Sequence, residues 1–207
     1  MALYHDATVS PTKAELVAAW VSQQSWCPPD PGAVEVIGAF RFDDPEGEVG
    51  IETMLASVDG TVVHVPLTYR ADPVAGGDAG LITEMHHTAL GQRWVYDGLH
   101  DDRYLTMLAA VAMTGQGEAL GMVQYDGVWH LAPAAVRITG GGWTQERVSV
   151  DGFTSDERDG AVAVFVNERF ELTVHRLPTT TPRTPLGLAA TWDSQQEPVL
   201  LATVAER

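Results

Sequence analysis

An α+β fold is predicted by three features of this 207-residue chain. Two segments, about 10–24 and 101–114, carry helical periodicity and helix-end signals. Asp-Gly pairs flanked by apolar runs mark tight antiparallel hairpins. Beyond Gly117 the helical period gives way to short strand-like runs. The pattern describes an antiparallel sheet packed by two helices over residues 1–117, followed by a second antiparallel β-rich unit over 118–207 packed against it.

The first helix begins at Ser10-Pro11, with Thr12 and Glu15 offering a competing capping box, and Leu16, Val17, Trp20 and Val21 form its apolar stripe. The segment from Trp26 to Gly32 holds three prolines and cannot continue it, because proline lacks the amide donor. Strands follow at 33–42, 49–58 and 61–70, the last two joined by Asp59-Gly60, whose type I′ turn needs positive φ at both positions. Residues 71–80 read as a surface loop, and 81–87 and 93–96 as strands. Asp101 and Asp102 favour the start of the second helix, Leu105, Leu108, Ala109 and Ala112 supply its face, and Gly115 and Gly117 end it.

After Gly117, strands are expected at 122–125, 128–131, 135–138, 147–150, 161–166, 170–176, 186–192 and 199–204, with Asp126-Gly127 turning the first pair. Gly140-Gly141-Gly142 reads as a flexible turn, and the Thr/Pro stretch 178–185 as a long loop or edge crossing.

Composition narrows the function classes. Apolar residues make up 45% and charged ones 19%, which suits a chain that buries a core rather than a disordered one. No apolar run approaches a membrane span and the amino terminus lacks a signal-peptide pattern, so the expected location is cytoplasmic. The formal net charge of −16 opposes nucleic acid and anionic membrane as partners. Cys27 is the sole cysteine, which excludes an internal disulfide. Lys13 is the sole lysine and Asn167 the sole asparagine, so a catalytic lysine or asparagine could only be these.

No motif carries a reaction, and no cofactor or metal is expected. Glu84, His86 and His87 suggest a metal, but adjacent strand residues point to opposite faces, so His86 and His87 read as ordinary histidines. His100-Asp101-Asp102 resembles a kinase catalytic loop, yet Met107 stands where the magnesium-holding asparagine belongs, and the acids read as a helix start. Gly140–Gly142 precede no helix that could receive a phosphate. Cys27 has no neighbouring base, and the acid pairs Asp43-Asp44 and Asp101-Asp102 read as solvated faces and turns. Six tryptophans offer stacking platforms as well as core; Trp20 and Trp94 are assigned to the core.

Three stretches carry a resemblance: ALYHDATVSPTKAELVAAW, IGAFRFDDPEGEVGIET followed by VPLTYR, and HHTALGQRWVYDG leading into the second helix. They resemble the maltokinase N-terminal cap-like family of actinobacterial proteins over roughly residues 1–115. The resemblance implies a cystatin-like cap, a curved antiparallel sheet with helices, which leans over a kinase lobe without supplying catalytic residues. It also implies a neighbourhood in glycogen, maltose or trehalose metabolism. The sequence after Gly117 departs from a sugar kinase in lacking both phosphotransfer motifs.

The expected function is therefore a non-catalytic accessory or regulatory protein acting on a partner protein in sugar metabolism. The alternative is a binder of a sugar or sugar phosphate using Trp94, Tyr96, Trp129 and an arginine, Arg70 or Arg93. A hydrolase using paired carboxylates is a third reading. Within Arg93–Gly98, Trp94 is expected to lie buried against the first helix near Trp20, and Asp97 to cap the following turn or helix.

Overall fold

The computed structural model describes residues 2–4, 7–28, 31–76, 79–143, 150–182 and 184–207. Its elements are β1 (Ala2–Tyr4), β2 (Val9–Ser10), α1 (Lys13–Val21), β3 (Val34–Phe42), β4 (Gly50–Val58), β5 (Thr61–Arg70), β6 (Leu81–His87), β7 (Gly91–Asp97) and α2 (Asp102–Thr114). The second half adds β8 (Gly121–Tyr125), β9 (Val128–Leu131), β10 (Val136–Gly140), β11 (Thr154–Glu157), β12 (Val162–Val166), β13 (Phe170–His175), β14 (Gly187–Trp192) and β15 (Gln195–Glu206). The class is α+β, as the sequence predicts.

Sheet I is antiparallel in the order β2-β6-β7-β5-β4-β3, and sheet II is antiparallel in the order β10-β14-β15-β13-β12-β11. A small sheet III joins β1, β8 and β9, with β1 parallel to β8. Alternation along β4 divides the core. Met54, Ala56 and Val58 face α1 with Leu16, Val17, Val63, Val65 and Val95. Ile51 and Leu55 face the other way, with Leu105, Leu108 and Ala109 of α2 and Phe165, Phe170 and Leu188 of sheet II. Thus α1 covers the outside of sheet I, and α2 lies between sheet I and sheet II.

Local chemistry explains the boundaries. The capping box of Thr12 and Glu15 wins over Ser10-Pro11, so α1 starts at Lys13 and Ser10 is left to β2. Asp101 caps α2 by accepting from the Arg103 amide, and Gly115, at φ 70°, closes it in the left-handed region. Asp59-Gly60 and Asp126-Gly127 have positive φ at both positions, as type I′ turns require.

Gly140–Gly142 correct the expectation of a flexible turn. An added Cβ at Gly140 would sit 2.0 Å from the Val111 carbonyl, and one at Gly142 2.0 Å from the Met113 carbonyl. The Gly142 amide donates to the Ala112 carbonyl at 2.9 Å. This run is the bare backbone by which sheet II closes on α2. In the Thr/Pro stretch, Thr180 is bridged to Val199 of β15, an inner strand of sheet II. The strand expected at 147–150 lies outside the described residues except for Val150, which is in no strand.

Candidate functional site

A cleft of about 520 Å³ opens on the α1 side of sheet I, between the start of α1, the β3–β4 turn and the β6–β7 turn. The capping box places Lys13 at its edge, and Lys13 Nζ lies 2.7 Å from Glu52 Oε1. The Tyr69 hydroxyl donates to the other oxygen, Oε2, at 2.7 Å, and Lys13 Nζ stands 5.5 Å from the Tyr69 ring centroid. Glu52 is 2% exposed, so these two partners are what make its burial tolerable. Burial first, then the Glu52 charge, push the Tyr69 phenol well above its ordinary pKa, which keeps it a donor to Glu52.

Arg41 and Arg93 also line the cleft, with Val9, Met85 and Leu90 supplying apolar wall. The Arg93 guanidinium donates to its neighbour's carbonyl, Gln92 O, at 2.9 Å. Three acids stand at the rim. Asp44 folds the β3–β4 turn on itself, accepting from the amides of Glu46, Glu48 and Val49 at 3.2, 2.9 and 2.9 Å. Burial opposes ionisation of Asp44, but these amides and Arg103 more than offset it and hold its pKa below the usual value. Arg103 pairs with Glu46, and that hydrogen bond, with the charges of Glu46, Asp44 and Glu48, raises its pKa.

The sequence-predicted ligand residues do not converge. Arg70 and Trp94 are cross-strand partners, as are Thr68 and Tyr96, so Arg70, Trp94 and Tyr96 share the face of sheet I turned away from α1. Arg70 is held there by Asp101, at 2.8 Å from each carboxylate oxygen, with Thr68 donating to the same group at 2.8 Å. Tyr96 is buried, its hydroxyl accepting from the Val74 amide at 3.0 Å. Trp94 is only half-buried and does not meet Trp20: it alternates with Val95, which is the residue that packs against α1. Trp20 packs edge-on to Trp26 instead, at 5.9 Å. Arg93 alone reaches the cleft, and Trp129 is 44% exposed on sheet III. Sequence reasoning missed Arg41, Glu52 and Tyr69; Lys13 had a signal, being the sole lysine.

A second polar cluster lies where sheet I meets sheet II. Asp97 accepts from the Leu99 amide at 3.1 Å, capping the single 3₁₀ turn Gly98–His100 as expected. It also pairs with Arg176, which is 2% exposed and lies 5.2 and 5.7 Å from the Trp20 and Trp26 rings. Arg158 donates to His100 Nδ1 at 3.0 Å. Nearby, the Thr53 hydroxyl lies 2.5 Å from the Tyr104 hydroxyl, which lies 3.2 Å from His64 Nε2, and His64 Nδ1 is 3.0 Å from the His175 carbonyl. A carbonyl only accepts, so His64 carries its proton on Nδ1, Tyr104 donates to Nε2, and Thr53 donates to Tyr104. Burial, then the Arg176 charge, lower the His64 pKa to about 3.

The remaining candidates resolve locally. His87 and Met85 take the cleft side of β6, while Glu84 and His86 are exposed on the other side. Among the described residues no three metal-binding side chains gather. Asp101 is spent on Arg70, Thr68 and the α2 cap. Cys27 is buried, and burial followed by Asp59 raises its thiol pKa, which lowers the thiolate fraction.

Residues 20–101 match the model of a family described as the maltokinase N-terminal cap domain. The matched segment runs from the end of α1 through the 3₁₀ turn and contains β3 to β7, five of the six strands of sheet I. No curated protein matches the chain.

Proposed function

We propose that this protein is a non-catalytic accessory or regulatory protein of sugar metabolism that works by binding a partner protein. The observation that supports this reading is the β8–β9 hairpin. Leu120, Tyr125, Val128, Trp129 and Leu131 are all between 44% and 64% exposed there, within twelve residues. Clustered apolar surface of this kind marks protein contact sites. The cap match ends at residue 101, and beyond it the chain continues as α2 and antiparallel sheet carrying neither phosphotransfer motif. The test uses tagged protein in native lysate. A sugar-metabolising enzyme is expected to co-purify, and the Trp129→Ser, Leu131→Ser double variant is expected to lose it while keeping the same melting temperature. Turnover of ATP and maltose by the purified protein would overturn the non-catalytic reading, and an unchanged capture by the double variant would remove the hairpin from it.

A second reading, a small-ligand binding protein, is favoured by the cleft between α1 and the two turns. A thermal-shift panel of maltose, trehalose, glucosamine and their phosphates tests it, and a flat panel would count against it.

A further inference from the structure

We propose that the cleft is an anion-recognition site, in which Arg41 and Arg93 seat the phosphate or carboxylate of a small molecule whose body lies along Val9, Met85 and Leu90. The proposal rests on the small-ligand reading and names the class of ligand. The chain has 12 basic residues among 207, yet the cleft gathers three of them. Lys13 is neutralised by Glu52, and Tyr69 is bound to the same carboxylate, so that trio offers no net charge. Arg41 and Arg93 are different. Among the described residues neither has a carboxylate partner, and Arg93 donates only to the Gln92 carbonyl.

Three acids, Asp43, Asp44 and Glu48, line the same cleft, but among the described residues none is paired with either arginine. Asp44 is turned onto three backbone amides, and Glu48 also lies in the field of Arg103. Two guanidinium groups without acidic partners, beside an apolar wall, suit an anionic oxygen group, because charge-assisted and bidentate hydrogen bonds to guanidinium are the strong ones. The positive end of α1, at Lys13, opens on the same cleft and adds to the attraction.

Calorimetric titration with glucose 6-phosphate, glucuronate, glucose and maltose tests the proposal. At least one anionic probe is expected to bind about tenfold or more tightly than glucose, with affinity falling as salt is raised. The better of the two identifies phosphate or carboxylate as the group. Arg41→Gln and Arg93→Gln are each expected to lose about tenfold in affinity, Arg207→Gln to lose nothing, and Glu48→Gln to gain, with melting temperatures confirming that each variant folds. Binding of maltose or glucose that the two arginine variants leave intact would overturn the anion assignment while keeping the small-ligand reading. Failure of all four probes to bind would overturn both.

Discussion

His64 shows how one buried side chain sets a pH limit. The unfolded chain takes up a proton near pH 6.5, whereas the folded His64 resists it down to about 3. Its neutral form therefore costs the fold nothing above pH 6.5, and stability is lost progressively as pH falls below that value. Between pH 6.5 and 5 the loss is expected to be about 2 kcal/mol. Urea titrations across this range should show a shallower pH slope for His64→Gln than for the parent, whatever the variant's absolute stability. Asp97 and Trp94 reverse their expected ranking. Read as a cap alone, Asp97→Ala would cost about 1 kcal/mol. Because Asp97 is the carboxylate for buried Arg176, its removal should instead cost about 3 to 5 kcal/mol. Trp94→Ala, at a half-buried position, should cost about 2 kcal/mol rather than the 3 to 5 of a fully enclosed aromatic. Equilibrium denaturation of the two variants side by side checks the order, and a Trp94 variant less stable than the Asp97 variant would refute it.

At the scale of elements, most of the fold is legible in the sequence because its signals are local. The Asp-Gly turns, the α2 cap and its Gly115 stop each depend on a few neighbouring residues. The elements that sequence reasoning misses lack such signals. β2 has two residues, β11 is Thr-Ser-Asp-Glu with every side chain exposed, and β15 begins in the polar run Gln195–Glu197. The cleft is hidden for another reason. Lys13, Arg41, Tyr69 and Arg93 come from four elements, and only the order of sheet I brings them together. The glycine run misleads because its demand is tertiary: the backbone of α2, not a turn, excludes a side chain there. Gly142→Ala should therefore destabilise by about 3 kcal/mol, as overpacking does at a site with no room to yield. A melting temperature within error of the parent would show that α2 can shift to make room.

For the whole molecule, α2 is the shared centre. It contributes Leu105, Leu108 and Ala109 to one core that also takes Leu55 from sheet I and Phe165 and Leu188 from sheet II. Ala161 and Leu177 of the second half pack into the other core, beside α1. A fragment ending at residue 117 would uncover the sheet II side of α2, and is expected to bind a hydrophobic dye and melt without a cooperative transition, unlike the full chain. A sharp calorimetric peak from that fragment would argue for two independent units. The ion pair of Lys13 with Glu52 has a practical consequence as well. Since no other lysine exists, amine-directed reagents meet a single side-chain target, and its amine is 2.7 Å from a carboxylate at the edge of the cleft. The rate of Lys13 acylation, read by mass spectrometry, thus becomes a built-in gauge of cleft occupancy, slowing when a ligand covers the amine and needing no engineered label.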